Sequence, residues 1–252
     1  MYTNFRHVNP SGKTSMLTNI MLCAWRMILQ WYKYLPKIHA ESMVEDGCVK
    51  LGILSGYQDV EAHGEAVGDP DENTRTIYSH DEHVKTDPKQ LNPLERQFFD
   101  FGNAEIENFH FSNNRIEIKN HDDDLLAYCT SRPFNINAMR KMSEENIKAG
   151  NDAYDACVEI TDHIGFIQAL CDFLENEHGI RYKGHGDCFY RERLIHWTQA
   201  HNTAAWNIKD KKYSYQKECR IVFTPPSSFS EKSLIVNVPE IKKFCRLYDL
   251  SA

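Results

Sequence analysis

No two of the eight cysteines in this 252-residue chain form a C-x-x-C pair, and no secretory leader with a small-residue cleavage site is legible. The first absence excludes a structural zinc site of that type. The second favours reduced thiols in a cytoplasmic protein over a disulfide framework. Glycine and proline are few, at 12 and 9 residues, and no stretch rich in them or in serine divides the chain. With 41% hydrophobic and 26% charged residues, this excludes collagen-like, low-complexity and disordered readings. A charge-free apolar run is missing too. Met16 to Tyr34 is apolar but carries Arg26 near its centre, which costs about 2.5–3.5 kcal/mol on insertion scales and argues against a membrane span. Excess positive charge is also lacking: the net charge is −7, which excludes a nonspecific nucleic-acid coat.

What is present is alternating structure. Leu17, Ile20, Met21, Ala24, Trp25, Ile28 and Trp31 recur at helical spacing, so residues 1–31 read as an N-terminal amphipathic extension. Gly12-Lys13-Thr14-Ser15 imitates the end of a phosphate-binding loop. His7 stands where that motif needs glycine, so the segment reads as a helix cap. Residues 32–252 read as one α+β domain. Tyr32-Lys33-Tyr34 is an aromatic strand, followed by a helix that stops at Gly47 and a strand over 49–54. An acidic loop runs from Gly56 to Arg75, and Phe109 to Ile118 reads as a hairpin turning at Asn113-Asn114. A strand over 125–131, a helix over 135–150 and a strand over 156–160 come next. Asp162 caps a helix that stops at Gly179, and strands are expected at 188–197, 219–224 and 233–238.

Charge is distributed unevenly. Residues 181–220 hold nine bases and four acids, a local +5, so the rest of the chain carries −12. Tyr182, Tyr190, Trp197, Trp206, Tyr213 and Tyr215 are interleaved with the bases. That pattern fits either a phosphate-bearing ligand with stacking bases or a solvated basic face. Three short pieces carry candidate chemistry: Trp31-Tyr32-Lys33-Tyr34, then Leu126 to Ser131 ending in two hydroxyls, then Tyr213 to Arg220 running into an apolar strand. In the last, Glu218 starts a core strand and Gln216 is placed two residues earlier, on the same face.

These pieces, in this order, resemble mono-ADP-ribosyltransferases, in particular bacterial toxins with a cation, a Ser-Thr-Ser strand and a Gln/Glu-x-Glu motif. The resemblance implies split antiparallel sheets with flanking helices, and NAD as substrate. It assigns Lys33 to the dinucleotide, Thr130 and Ser131 to the nicotinamide pocket, Glu218 to the nicotinamide ribose and Gln216 to the acceptor. Tyr32 and Tyr34 flank the cation, and Tyr34 and Tyr57 are expected to stack on nicotinamide. Lys33 stands where the family usually has Arg, and Cys129 where it has the first Ser. The span from Tyr32 to Phe223 is also similar to phage-defence and toxin–antitoxin proteins, through Tyr32-Lys33-Tyr34, Gly56-Tyr57, His63-Gly64-Glu65 and Lys217-Glu218-Cys219-Arg220. That likeness implies a macromolecular acceptor, with RNA or DNA favoured by the basic stretch, and a neutralising antitoxin protein.

Other readings stay open. Glu218 could serve only as an ion-pair partner of Arg220 or a nearby Lys, leaving a non-catalytic module of the same fold that binds a nucleotide or a phage component. Asp69, Asp71 and Glu72 could hold a divalent ion as in a nuclease, or simply form a turn. His80 and His83 have metal-ligand spacing but polar surroundings, and His196 and His201 flank Trp197 without an identifiable partner.

Overall fold

The computed structural model describes residues 30–59, 68–81, 87–96, 114–121, 124–196, 198 and 204–250. The expected amphipathic helix, the acidic His63-Gly64-Glu65 segment, Phe109, Phe111, His83 and His201 lie outside them, although Trp31 does not. Rather than closing a helix, Trp31 opens strand β1 (Trp31–Leu35) and is buried.

From there the chain follows its local chemistry. Pro36 precedes helix α1 (Lys37–Asp46) as its N-cap, which corrects the N1 position that proline's geometry suggests. Gly47 ends the helix at φ 75°, a left-handed conformation that glycine adopts without penalty. A Cβ there would also meet the Val238 carbonyl oxygen at 2.2 Å, because the chain passes directly over it. Strand β2 is Cys48–Ile53. Two strands follow, β3 (Thr74–Asp81) and β4 (Asn114–His121). Strand β5 (Leu126–Ser131) precedes helix α2 (Ile136–Lys148), whose N-cap Asn135 accepts from two backbone N–H groups. Strand β6 (Ala156–Ile160) leads to helix α3 (His163–His178), capped by Asp162 and ended by Gly179 in the left-handed region. Then come β7 (Arg181–Asp187), β8 (Phe189–Tyr190), β9 (Leu194–His196), β10 (Ile208–Lys209), β11 (Glu218–Thr224), β12 (Ser233–Asn237) and β13 (Cys245–Leu247).

The architecture is α+β, with antiparallel pairing throughout an eight-stranded main sheet. Along one path the order is β12-β2-β5-β1-β6-β13, while β11 and then β7 extend from the other edge of β5. The sheet forks at β5. Leu126 and Ala127 pair with β2 at one end, Ser131 pairs with Tyr32 of β1 at the other, and residues 128–130 have no strand partner on that edge. Small sheets β4-β3-β9 and β10-β8 complete the described strands.

Alternation along the strands separates two faces. Trp31, Leu126, Tyr128, Val158, Ile160, Ile221 and Phe223 point into the main core, against Met43 of α1 and Phe166, Leu170 and Leu174 of α3. The opposite face carries Tyr32, Tyr34 and Cys157 against Met139 of α2, and Ala127 and Val222 against Leu54. Among the described residues, no helix is long and apolar enough to cross a membrane.

Candidate active site

At the fork lies an open cleft of about 660 Å³, a figure that includes the solvent at its mouth. Seven of the eight sequence-selected residues line it: Tyr32, Lys33, Tyr34, Tyr57, Thr130, Gln216 and Glu218. Ser131 does not. It forms the middle of a three-strand rung, with Tyr32 opposite it on β1 and Glu218 opposite it on β11. The three pieces separated by some 90 residues in sequence therefore meet on adjacent strands.

Lys33 fills the gap in the backbone ladder. Its ammonium donates to the Cys129 carbonyl at 2.7 Å and lies 5.0 Å from the centre of the Tyr128 ring. Burial pushes its pKa down, although the nearby Cys129 and Glu218 oppose the shift. Thr130 Oγ1 donates to the Cys219 carbonyl at 3.2 Å. Gln216 reaches the cleft differently from the expected strand alternation. It closes the 3-10 turn Lys211–Gln216, and Lys217, left-handed at φ 47°, then swings the chain into β11. Both Gln216 and Glu218 are buried, so the shared site stands but the shared strand face does not.

Glu218 is held from every side. Oε1 accepts from Arg220 Nε and Oε2 from Lys209 Nζ, each at 2.6 Å. Its backbone N–H donates to the Tyr190 hydroxyl at 2.6 Å, and its carbonyl accepts from Cys188 N–H at 2.9 Å. Arg220 in turn forms a two-pronged pair with Glu72, at 2.8 and 2.9 Å, and donates to the Trp206 carbonyl. Burial alone would raise the Glu218 pKa. Arg220 and Lys209 outweigh it and hold the carboxyl far below its ordinary range, hence ionised. Glu72, Glu218, Arg220 and Lys209 thus make a buried, charge-balanced quartet. Burial pushes the surrounding acids the other way. The Tyr32 and Tyr34 phenols and the Cys129 thiol rise to about 12, so all three are neutral at pH 7.

Sequence reasoning missed Lys209, Met142 and Tyr154, and weighed Glu72 only as a metal ligand or part of a turn; all four line the cleft. Glu72 belongs to the segment read as an acidic loop, and Lys209 to the basic stretch read as either a surface for a phosphate-bearing ligand or a solvated face. Those opposite charges are partly spent on each other inside the fold: Arg193 pairs with Asp69 and Arg220 with Glu72. With Lys209 on Glu218, three of the nine bases are structural, leaving the basic surface smaller than the sequence count suggests. Tyr213 is also buried, donating to the Gly68 carbonyl. Only the i, i+2 spacing of Glu218 and Arg220 signalled this network in advance.

The metal alternative finds no cluster. Asp69 faces Arg193, Asp71 faces Lys119 at 2.9 Å, and among the described residues no three His, Cys, Asp or Glu side chains converge as ligands. No family model, curated protein or solved structure matches the chain.

Proposed function

We propose that this chain is a toxin-like mono-ADP-ribosyltransferase. It would cleave NAD and transfer ADP-ribose to a macromolecular acceptor, with an RNA or DNA base preferred, in phage defence or a toxin–antitoxin system. The fold is then an ADP-ribosyltransferase-like pair of split sheets, and the forked main sheet supports that reading. The observation carrying it is the convergence of Lys33, Thr130, Gln216 and an ionised Glu218 on one aromatic-lined cleft.

The chemistry suits the residues. Breaking the bond between nicotinamide nitrogen and ribose C1′ sends the electron pair out with neutral nicotinamide and leaves an oxocarbenium-like ribose. A fixed carboxylate favours that developing charge, and needs no reorganisation if it is already clamped. A carboxylate has about four lone-pair sites. Lys209 and Arg220 use two at Glu218, which leaves acceptors for ribose hydroxyls. Tyr34 and Tyr57 supply faces for nicotinamide, and Lys33 a cation for pyrophosphate. Gln216 addresses the acceptor, whose nucleophilic atom bonds to C1′ and releases its proton. An enzyme of this kind calls for a neutralising protein partner.

Label transfer from adenylate-labelled NAD in cell extract, resolved into RNA, DNA and protein fractions, tests the proposal. Wild type is expected to label one fraction, and Glu218→Gln to lose at least about 10²-fold in rate. Equal transfer by the variant, or none by wild type, rejects it. One observation favours a second reading, a non-catalytic nucleotide-binding module. Both Glu218 oxygens and the Lys33 ammonium already have protein partners. NAD binding without turnover would select that reading.

A further inference from the structure

Lys209 is the least expected member of the quartet. It comes from the two-residue strand β10, which pairs in parallel with β8 outside the main sheet. Its side chain is nonetheless buried and aimed at Glu218 Oε2 at 2.6 Å. Arg220 is bound into the scaffold by Glu72 and the Trp206 carbonyl. The Lys209 ammonium, by contrast, is recorded against Glu218 and, 5.1 Å away, the Tyr213 ring. Two cations therefore grip the two carboxylate oxygens from different elements, Arg220 from the same strand and Lys209 from β10. Together they fix the plane of the carboxylate; with Arg220 alone, the group could rotate about its last bond.

We propose that Lys209 is a positioning residue for NAD cleavage, setting the orientation and charge of Glu218 while leaving the binding of NAD itself to the rest of the cleft. The proposal rests on the transferase reading. The titratable groups around Glu218 are Arg220 and Cys219 on its own strand, Lys209 on β10, Tyr190 on β8, Cys129 on β5, Lys33 on β1, Cys188 ahead of β8, Tyr57, and Glu72, which reaches it through Arg220. Of these, Arg220, Lys209 and Lys33 are the cations, and burial keeps the thiols and phenols protonated.

The test uses the full chain with Lys209→Gln, which keeps a hydrogen-bond donor without the charge, and Lys209→Met, which keeps neither. Measured are NAD affinity, kcat for NAD cleavage at neutral pH, and melting temperature as a control for folding. NAD affinity should stay within about twofold, while kcat at neutral pH falls about tenfold to 10²-fold, with Lys209→Met the worse of the two. A purely structural lysine would lower the melting temperature and change kcat no more than the folded fraction changes. A kcat that holds in both folded variants, or that falls only together with NAD affinity, overturns the assignment to Lys209. A wild type that does not cleave NAD overturns the transferase reading and this proposal with it.

Discussion

Removing the Glu72 carboxylate would leave the Arg220 guanidinium, itself fully buried, with one carboxylate instead of two. Breaking a buried pair from one side costs about 3–5 kcal/mol, because the remaining charge keeps its desolvation penalty and loses its compensation. Glu72→Ala should therefore lower the urea midpoint by an amount corresponding to that loss, with an unchanged slope; a loss below about 1 kcal/mol would show the pair to be dispensable. This residue also marks where sequence reading ends. Glu218 and Arg220 are two apart in one strand, and their pairing is visible in the spacing. Glu72 reaches Arg220 across 148 residues, and nothing in an acid-rich segment marks in advance that Asp69 and Glu72 are the carboxylates buried against arginines.

Elements with strong local signals were legible, and those shaped by position in the sheet were not. Caps or glycine stops mark α1 and α3 in the sequence, residues 135–150 read as helix without them, and β1, β2, β5, β6 and β11 show their alternation or apolar character. Strand β7, Arg-Tyr-Lys-Gly-His-Gly-Asp, shows neither, because it is an outer strand of the main sheet with most of its side chains in water. The aromatic hairpin was only half legible: Ile116 lies in β4, whose described partner is β3, a strand hidden within the segment read partly as loop. A contact between elements also fixes one wall of the cleft. A Cβ on Gly52 of β2 would lie 2.3 Å from the Tyr57 hydroxyl and 3.0 Å from a ring carbon. Gly52→Ala must push the Tyr57 ring aside. Overpacking of this kind costs about 1–3 kcal/mol, and the displaced ring should narrow the cleft, so affinity for NAD should fall by more than stability does. Calorimetric titration alongside a thermal melt checks the comparison, and unchanged affinity would remove Tyr57 from the binding wall.

At the scale of the whole molecule, the quartet links folding to pH. The folded pKa of Glu218 lies well below its unfolded value, so its contribution is complete above the ordinary carboxylate range and is lost as pH falls towards the folded value. Asp71, lowered by its hydrogen bond to Lys119, adds to the trend in the same direction. The melting temperature should therefore hold between about pH 8 and 5 and fall below about pH 4, and Glu218→Gln should flatten that acid decline. An equal decline in both proteins would place the acid sensitivity elsewhere.

The order of strands in the fork also governs when a complete cleft can exist during synthesis. Lys33 emerges early and Thr130 midway, whereas Lys209, Gln216, Glu218 and Arg220 all come after residue 200. Since domains fold as units, a nascent chain that stops short of these four residues holds Lys33 and Thr130 but no complete cleft. The capacity for harm that the proposed activity implies is thereby withheld from the unfinished chain.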